Sequence, residues 1–223
     1  MILTIPDVLL ADELATLLGA LAHAEFQDGR ATAGWNARTV KNNQQMVPGS
    51  AQGMDLQSIL VKAFSRNVLF QMAARPKIMR PVMFNRYTDG MHYGPHMDDP
   101  IMGNQPMLRA DLSLTLFLSD PRSYDGGELT IELSGGSRQF KLPVNHMVVY
   151  PSTTLHQVTA VTRGVRIAAV TWVQSVIRDP AHRELLYDLD TAHRALFAQH
   201  GKTREVDLIT KTLTNLVRMW AEP

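Results

Sequence analysis

The chain has no cysteine at all, so a disulfide framework and any thiolate metal site are excluded, and His, Asp and Glu are left as the strong protein ligands for a metal. It has almost no net charge. With 22 basic and 21 acidic residues balancing to +1, no broad field recruits nucleic acid or an anionic membrane, although a local basic patch is compatible with that total. Long apolar runs are missing too: none reaches the roughly 18 residues that a membrane helix needs. The opening Met1-Ile-Leu-Thr-Ile-Pro-Asp7 lacks the basic start of a signal peptide and meets Pro6 and Asp7 at once. A soluble, cytoplasmic protein without nucleic-acid or membrane partners is the expectation. What the chain does have is 223 residues at 45% hydrophobic content, enough to bury one sizeable core.

Helical periodicity comes first along the chain. Residues 2–5 read as a short strand, and Asp12 to Ala22 carry Leu14, Leu17, Leu18 and Leu21 at helical spacing behind acidic residues. Residues 27–53, with Gly29, Gly34, Pro48, Gly49 and Gly53, read as loops with at most one edge strand. Within them Lys41-Asn-Asn-Gln-Gln45 reads on its own residues as a solvated turn. Residues 54–74 read as a second helix ending before Pro76. From Val82 the pattern changes to short alternating runs at 82–87, 91–98, 111–118, 128–133, 138–142, 147–150, 155–161 and 164–176, separated by turn signals such as Asp89-Gly90 and Asp125-Gly126-Gly127. About eight strands so spaced imply a sandwich or jelly roll. In the run 111–118, Leu112, Leu114, Leu116 and Leu118 share one face, predicted to pack on helices, while Asp111, Ser113, Thr115 and Phe117 share the other, predicted to line a pocket. After the strands, Asp179-Pro180 starts a third helix and Thr203 a fourth, which either pack on the barrel or form a contact between subunits of a homo-oligomer.

Three residues in the strand region have the right chemistry for a metal. On an extended strand His96 and Asp98 project to the same side, and His156 enters a further β-like run. Two histidines and one carboxylate on one face of a metal form the facial triad of non-haem Fe(II) oxygenases. Arg166 follows His156 by ten positions, in a strand-like run where Ala168, Val170 and Trp172 share its face. A guanidinium on so apolar a face needs a partner, and its fork suits the carboxylate of a cosubstrate acid. Of the other histidines, His23, His182, His193 and His200 fall in helical stretches, His146 in a turn, and His92 reads as pocket lining rather than ligand.

His96-x-Asp98, His156 and Arg166 together resemble the 2-oxoglutarate- and Fe(II)-dependent dioxygenases. Asn85-Arg-Tyr87, Leu116 to Pro121 with Tyr124 to Leu129, and Tyr150 to His156 look like the bacterial PKHD-type hydroxylases, relatives of prolyl 4-hydroxylase associated with iron uptake. The likeness extends to Lys41–Gln45, which it places at an active-site entrance, and to Trp172–Asp179. It implies an α+β fold with a mainly β core: a double-stranded β-helix, or jelly roll, buttressed by N-terminal helices and carrying a C-terminal helical extension. Residues 1–178 would form the dioxygenase domain, with the motif-bearing core at about 80–176, and residues 179–223 the extension. It implies Fe(II) on His96, Asp98 and His156, the cosubstrate 2-oxoglutarate clamped by Arg166, and O₂ as co-reactant. Ascorbate is an expected reductant. The hydroxylated substrate, peptide or small molecule, is not specified. Where eukaryotic relatives have a cosubstrate-holding tyrosine, Phe117 lacks the hydroxyl, and Tyr87 is the candidate to supply it. Two alternatives stand beside this reading. One is an AlkB-like nucleic-acid demethylase, suggested by Asn85-Arg-Tyr87, though the next arginine after Arg166 is Arg178. The other is a non-enzymatic barrel that senses iron or a siderophore.

Overall fold

A computed structural model of the chain describes residues 1–47 and 51–223, so the expected loop residues Pro48 and Gly49 lie outside the described residues. The chain runs β1 (Leu3–Ile5), α1 (Ala11–Ala22), β2 (Phe26–Asp28), β3 (Lys41–Asn42), β4 (Gln44–Met46), α2 (Ala51–Arg66) and α3 (Val68–Ala74) before the strand-rich region. Strands β5 (Pro76–Met79), β6 (Met83–Tyr87), β7 (His92–His96), β8 (Ile101–Met102), β9 (Leu108–Arg109) and β10 (Leu112–Phe117) follow. Then come β11 (Asp125–Gly126), β12 (Leu129–Leu133), β13 (Gly136–Phe140), β14 (Met147–Pro151), β15 (His156–Val158), β16 (Val161–Arg163) and β17 (Arg166–Ser175). Two helices, α4 (Pro180–His200) and α5 (Arg204–Trp220), close the chain.

The strands form two main antiparallel sheets. The larger has the order β1-β14-β10-β17-β6-β4-β2 with β5 also on β17, and the smaller has the order β13-β12-β15-β7-β3. The alternation of 112–118 is realised as expected. Leu112, Leu114, Leu116 and Leu118 pack with Leu17 and Leu21 of α1, Leu60 and Phe64 of α2 and Phe70 of α3 on the outer face of the larger sheet. Phe117 turns inward, where it meets Tyr87, Tyr150, Leu129 and Val158 contributed by both sheets. Helices thus cover one face of the larger sheet, and the space between the two sheets is left for the site. This is the jelly-roll α+β arrangement anticipated from the sequence.

Three local expectations are corrected. The helix over 54–74 is two helices, because Asn67 interrupts it: its side chain accepts from Phe70 N at 2.9 Å and caps a new start, as Asn favours. The described residues of the stretch 27–53 contribute to three strands rather than one, and Gly53 lies within α2. Its β3 joins the smaller sheet on β7 and its β4 the larger sheet on β6, so the segment crosses from one sheet to the other. The solvated-turn reading of Lys41–Gln45 fails with it. Finally, the run 155–161 is divided into β15 and β16, with a shift of register against β7.

Candidate active site

His96 and His156 are direct partners across the antiparallel pair β7–β15, which brings side chains separated by sixty residues face to face. Their rings lie 4.3 Å apart between centroids. Strand β7 ends at His96, so Asp98 reaches the same point from the loop beyond the strand rather than from within it. Ligand atoms of His96, Asp98 and His156 all fall within 4.8 Å of one another, and His156 Nε2 is 3.7 Å from Asp98 Oδ2.

Each imidazole is held from behind. His96 Nδ1–H donates to Gly94 O at 2.8 Å and His156 Nδ1–H to Thr154 O at 3.0 Å, which fixes the tautomers and leaves both Nε2 lone pairs facing the common centre. Burial, with His156 close by, pushes the His96 pKa down, so the ring is kept neutral and able to ligate. Tyr93 stacks on His96 at 3.5 Å, and Tyr150 meets His156 edge-on at 5.2 Å. The carboxylate has its own support: Ser113 Oγ donates to Asp98 Oδ2 at 2.5 Å and lies 2.7 Å from Ser152 Oγ. Donor types and arrangement fit a divalent metal with imidazole and carboxylate ligands.

Arg166 begins β17 opposite Tyr87 of β6 and is 2% exposed. Its Nε and Nη2 have no hydrogen-bond partner among the described residues. The guanidinium lies 5.1 Å from the Tyr87 ring and 5.4 Å from the Phe117 ring, contacts that soften the charge but cannot accept its N–H groups. Gly127, with φ +67, makes room for it: a Cβ there would come 2.9 Å from Arg166 Cδ. A buried fork with unused donors fits one terminal carboxylate of a dicarboxylate. Tyr87 itself is buried, and desolvation holds its phenol protonated by raising its pKa.

All five sequence-derived candidates, His96, Asp98, His156, Arg166 and Tyr87, line one cavity of about 550 Å³. His92 does not line it and His146 stands apart, its Nδ1 on Val144 O. The resemblance put Lys41–Gln45 at the active-site entrance, where Lys41, Asn43 and Gln45 do line the cavity, but the residues alone did not show this wall, and sequence reasoning missed Ser113–Ser152 as support for Asp98. The signal for the wall was present as an i, i+2, i+4 alternation, but its inward residues are polar, so hydrophobic periodicity could not reveal it.

Comparison with known proteins agrees with this geometry. Residues 82–174 match the family model of the 2OG-Fe(II) oxygenase superfamily, and residues 181–222 match that of the PKHD-type hydroxylase C-terminal domain. A PKHD-type hydroxylase of Synechococcus sp. is 53% identical over 223 residues, covering 100% of both chains. Among solved structures, a Trichoplax adhaerens prolyl hydroxylase in complex with a hypoxia inducible factor peptide fragment aligns with a TM-score of 0.59 at 15% identity, covering 82% of this chain and 86% of that one. A Pseudomonas putida prolyl-4-hydroxylase aligns with a TM-score of 0.51 at 20% identity, covering 78% and 92%. At these identities the two structures speak to the fold.

Proposed function

The chain belongs to the PKHD-type hydroxylases of the 2OG-Fe(II) oxygenase superfamily, and from that premise we propose that His96, Asp98 and His156 hold one Fe(II) while Arg166 binds the far carboxylate of 2-oxoglutarate. The observation that carries this reading is that Nε and Nη2 of the buried Arg166 find no hydrogen-bond partner among the described residues, in the same cavity as the three clustered ligands. Bound iron, with 2-oxoglutarate and O₂, supplies the oxidant: one oxygen atom enters a C–H bond of the substrate as hydroxyl and the other leaves in succinate, with release of CO₂. The protein contributes position. Ser113 fixes the orientation of Asp98, the Gly94 and Thr154 carbonyls fix the two imidazoles, and Tyr87 and Phe117 keep water from the cosubstrate's anionic end. Tyr87, paired with Arg166 across β6 and β17 and lining the same cavity, is the residue to add a hydrogen bond there.

The substrate in this reading is a prolyl-type or iron-uptake-related compound, a choice supported by the prolyl hydroxylases that share the fold and by the family resemblance. Ascorbate serves as reductant, and residues 1–178 form the catalytic unit with 179–223 as its extension. A cytoplasmic setting accords with the absence, among the described residues, of any helix long and apolar enough to cross a membrane. Neither alternative gains support: family membership speaks for an enzyme over a sensor, and Arg178 lies exposed beyond the end of β17. The test is anaerobic titration of apo-protein with Fe(II) and then 2-oxoglutarate. A weak visible charge-transfer band at one iron per chain, followed by succinate on admission of air, is expected; no band at saturating cosubstrate would refute the proposal.

A further inference from the structure

We infer that Lys41 is the anion-binding point for the prime substrate, which therefore carries a free carboxylate, as a free amino acid or a peptide's C-terminal residue does. This rests on the hydroxylase reading above and narrows its substrate class. Lys41, Asn43 and Gln45 alternate along a segment that lines the cavity, and they are only 4%, 3% and 3% exposed. The Gln45 amide is engaged within the wall at both ends, and that of Asn43 through its nitrogen. Asn43 Nδ2 and Gln45 Nε2 donate to Asn85 Oδ1 at 3.4 and 2.8 Å, and Gln45 Oε1 accepts from Thr32 Oγ1 at 2.6 Å. The ammonium of Lys41 is not so served. It donates to Thr32 Oγ1 at 3.0 Å, lies 5.1 Å from the Tyr93 ring, and forms no ion pair among the described residues. An ammonium has three donors, and a buried charge without a counter-ion is costly. Desolvation accordingly pushes its pKa down to about 8, while the Asp98 and Asp28 carboxylates, which form no ion pair with it, pull the other way.

Topology separates this cation from the one assigned to the cosubstrate. In the order β13-β12-β15-β7-β3, Lys41 lies on the strand beyond His96, opposite Tyr93, on the side away from His156. Arg166 belongs to the other sheet and packs against Gly127, which leads into β12 on the far side of His156. The two cations, neither in an ion pair among the described residues, therefore flank the histidine pair. A dicarboxylate running from the metal to Arg166 leaves Lys41 to the second occupant of the cavity. The rim does not decide the sign of that occupant, because it carries both Arg80 and Asp99. One buried ammonium balances the single charge of a carboxylate, whereas a phosphate monoester brings close to two.

The experiment uses the full chain loaded with Zn(II) and 2-oxoglutarate, titrated calorimetrically with N-acetyl-L-proline and with its N-methylamide, which differ at the carboxylate. The acid should bind about ten- to a hundred-fold more tightly, as one charge-assisted hydrogen bond predicts. Lys41→Met should erase that preference, Lys41→Arg should retain part of it, and the affinity for 2-oxoglutarate should be the same in all three proteins. Equal binding of the pair, no binding of the acid, or a preference that survives Lys41→Met would overturn the proposal. So would weakened 2-oxoglutarate binding in Lys41→Met, which would assign the lysine to the cosubstrate. Failure of the wild type to bind 2-oxoglutarate at all would instead strike the hydroxylase reading.

Discussion

Between the two sheets Lys41, Gln45, Asn85, His96 and Arg166 are buried although polar or charged, whereas on α4 and α5 Leu185, Phe197, Leu208 and Met219 stand exposed although apolar. The two regions are also built from different kinds of information. The cavity wall comes from strands far apart in the chain, and its polar groups are tolerable because neighbours from other strands satisfy most of them. The C-terminal helices are defined locally. Asp179 caps α4 by accepting from Ala181 N and His182 N, and Thr203 caps α5 by accepting from Val206 N. The pair is held together by His182 of α4 stacked on Trp220 of α5 at 4.0 Å, and fastened to the core by Arg183 on the carbonyls of Ile177 and Arg178 and by the Arg75–Asp190 and Arg109–Glu222 ion pairs. The contrast teaches that the cavity gives up comfort for chemistry, while the extension gives up burial without losing its fold.

If that division is right, substitutions in the cavity should remove function and spare stability, and substitutions in the extension should do the reverse. The largest effect belongs to the ligands. Alanine at His96, Asp98 or His156 should abolish both stoichiometric Fe(II) binding and succinate formation, and full activity in any one of these variants would end the triad assignment. Arg166→Ala comes next. Losing one partner of a buried charged pair costs about 2–5 kcal/mol, so the apparent constant for 2-oxoglutarate should rise roughly tens- to thousands-fold, with iron binding preserved and Lys giving partial rescue. An unchanged cosubstrate titration would mark Arg166 as structural. Ser113→Ala should weaken metal affinity by about ten- to a hundred-fold, as loss of a support behind a ligand does; competition with a metal chelator measures it.

On the other side of the comparison, Thr203→Ala removes the cap of α5 and should cost about 1 kcal/mol, lowering Tm by about 2–4 °C while leaving the 2-oxoglutarate constant alone. Asp179→Ala adds a test through pH. Backbone N–H groups of Ala181 and His182 hold the Asp179 pKa below its usual value in the folded chain. Its contribution is therefore present above the unfolded carboxylate pKa and fades as pH falls through the folded one. Wild type and variant should differ in Tm at pH 7 and converge in acid; a gap that persists in acid would mean the carboxylate is not what caps the helix. The smallest expected effect is His146→Gln, which should leave iron stoichiometry unchanged, since His146 turns its Nδ1 to Val144 O and is no part of the ligand cluster.

Much of this was legible in the chain itself, and the misses have physical causes. Parity placed His96 and Asp98 on one side, yet β7 stops at His96, so the loop after it delivers the carboxylate. Helical periodicity ran through 54–74 because Leu56, Ile59, Leu60, Ala63 and Phe64 continue into Phe70 and Met72, and the break depends on a single capping side chain at Asn67. His92 shares its strand with His96 but falls outside the cavity, where its Nδ1 lies on Gly90 O.

What the sequence by itself determined is whatever depends on neighbours along the chain. The caps at Asp179 and Thr203, the two-faced run 112–118, the ligand types and the ten-residue step from His156 to Arg166 are of this kind. Only the tertiary structure decided which strands stand beside which. The cross-strand pairing of His96 with His156, the reach of Ser113 to Asp98, and the passage of residues 41–46 from one sheet to the other all depend on contacts between distant segments. A polar strand such as Lys41–Gln45 reads locally as a surface turn, because burial is a property of what the rest of the chain places around it.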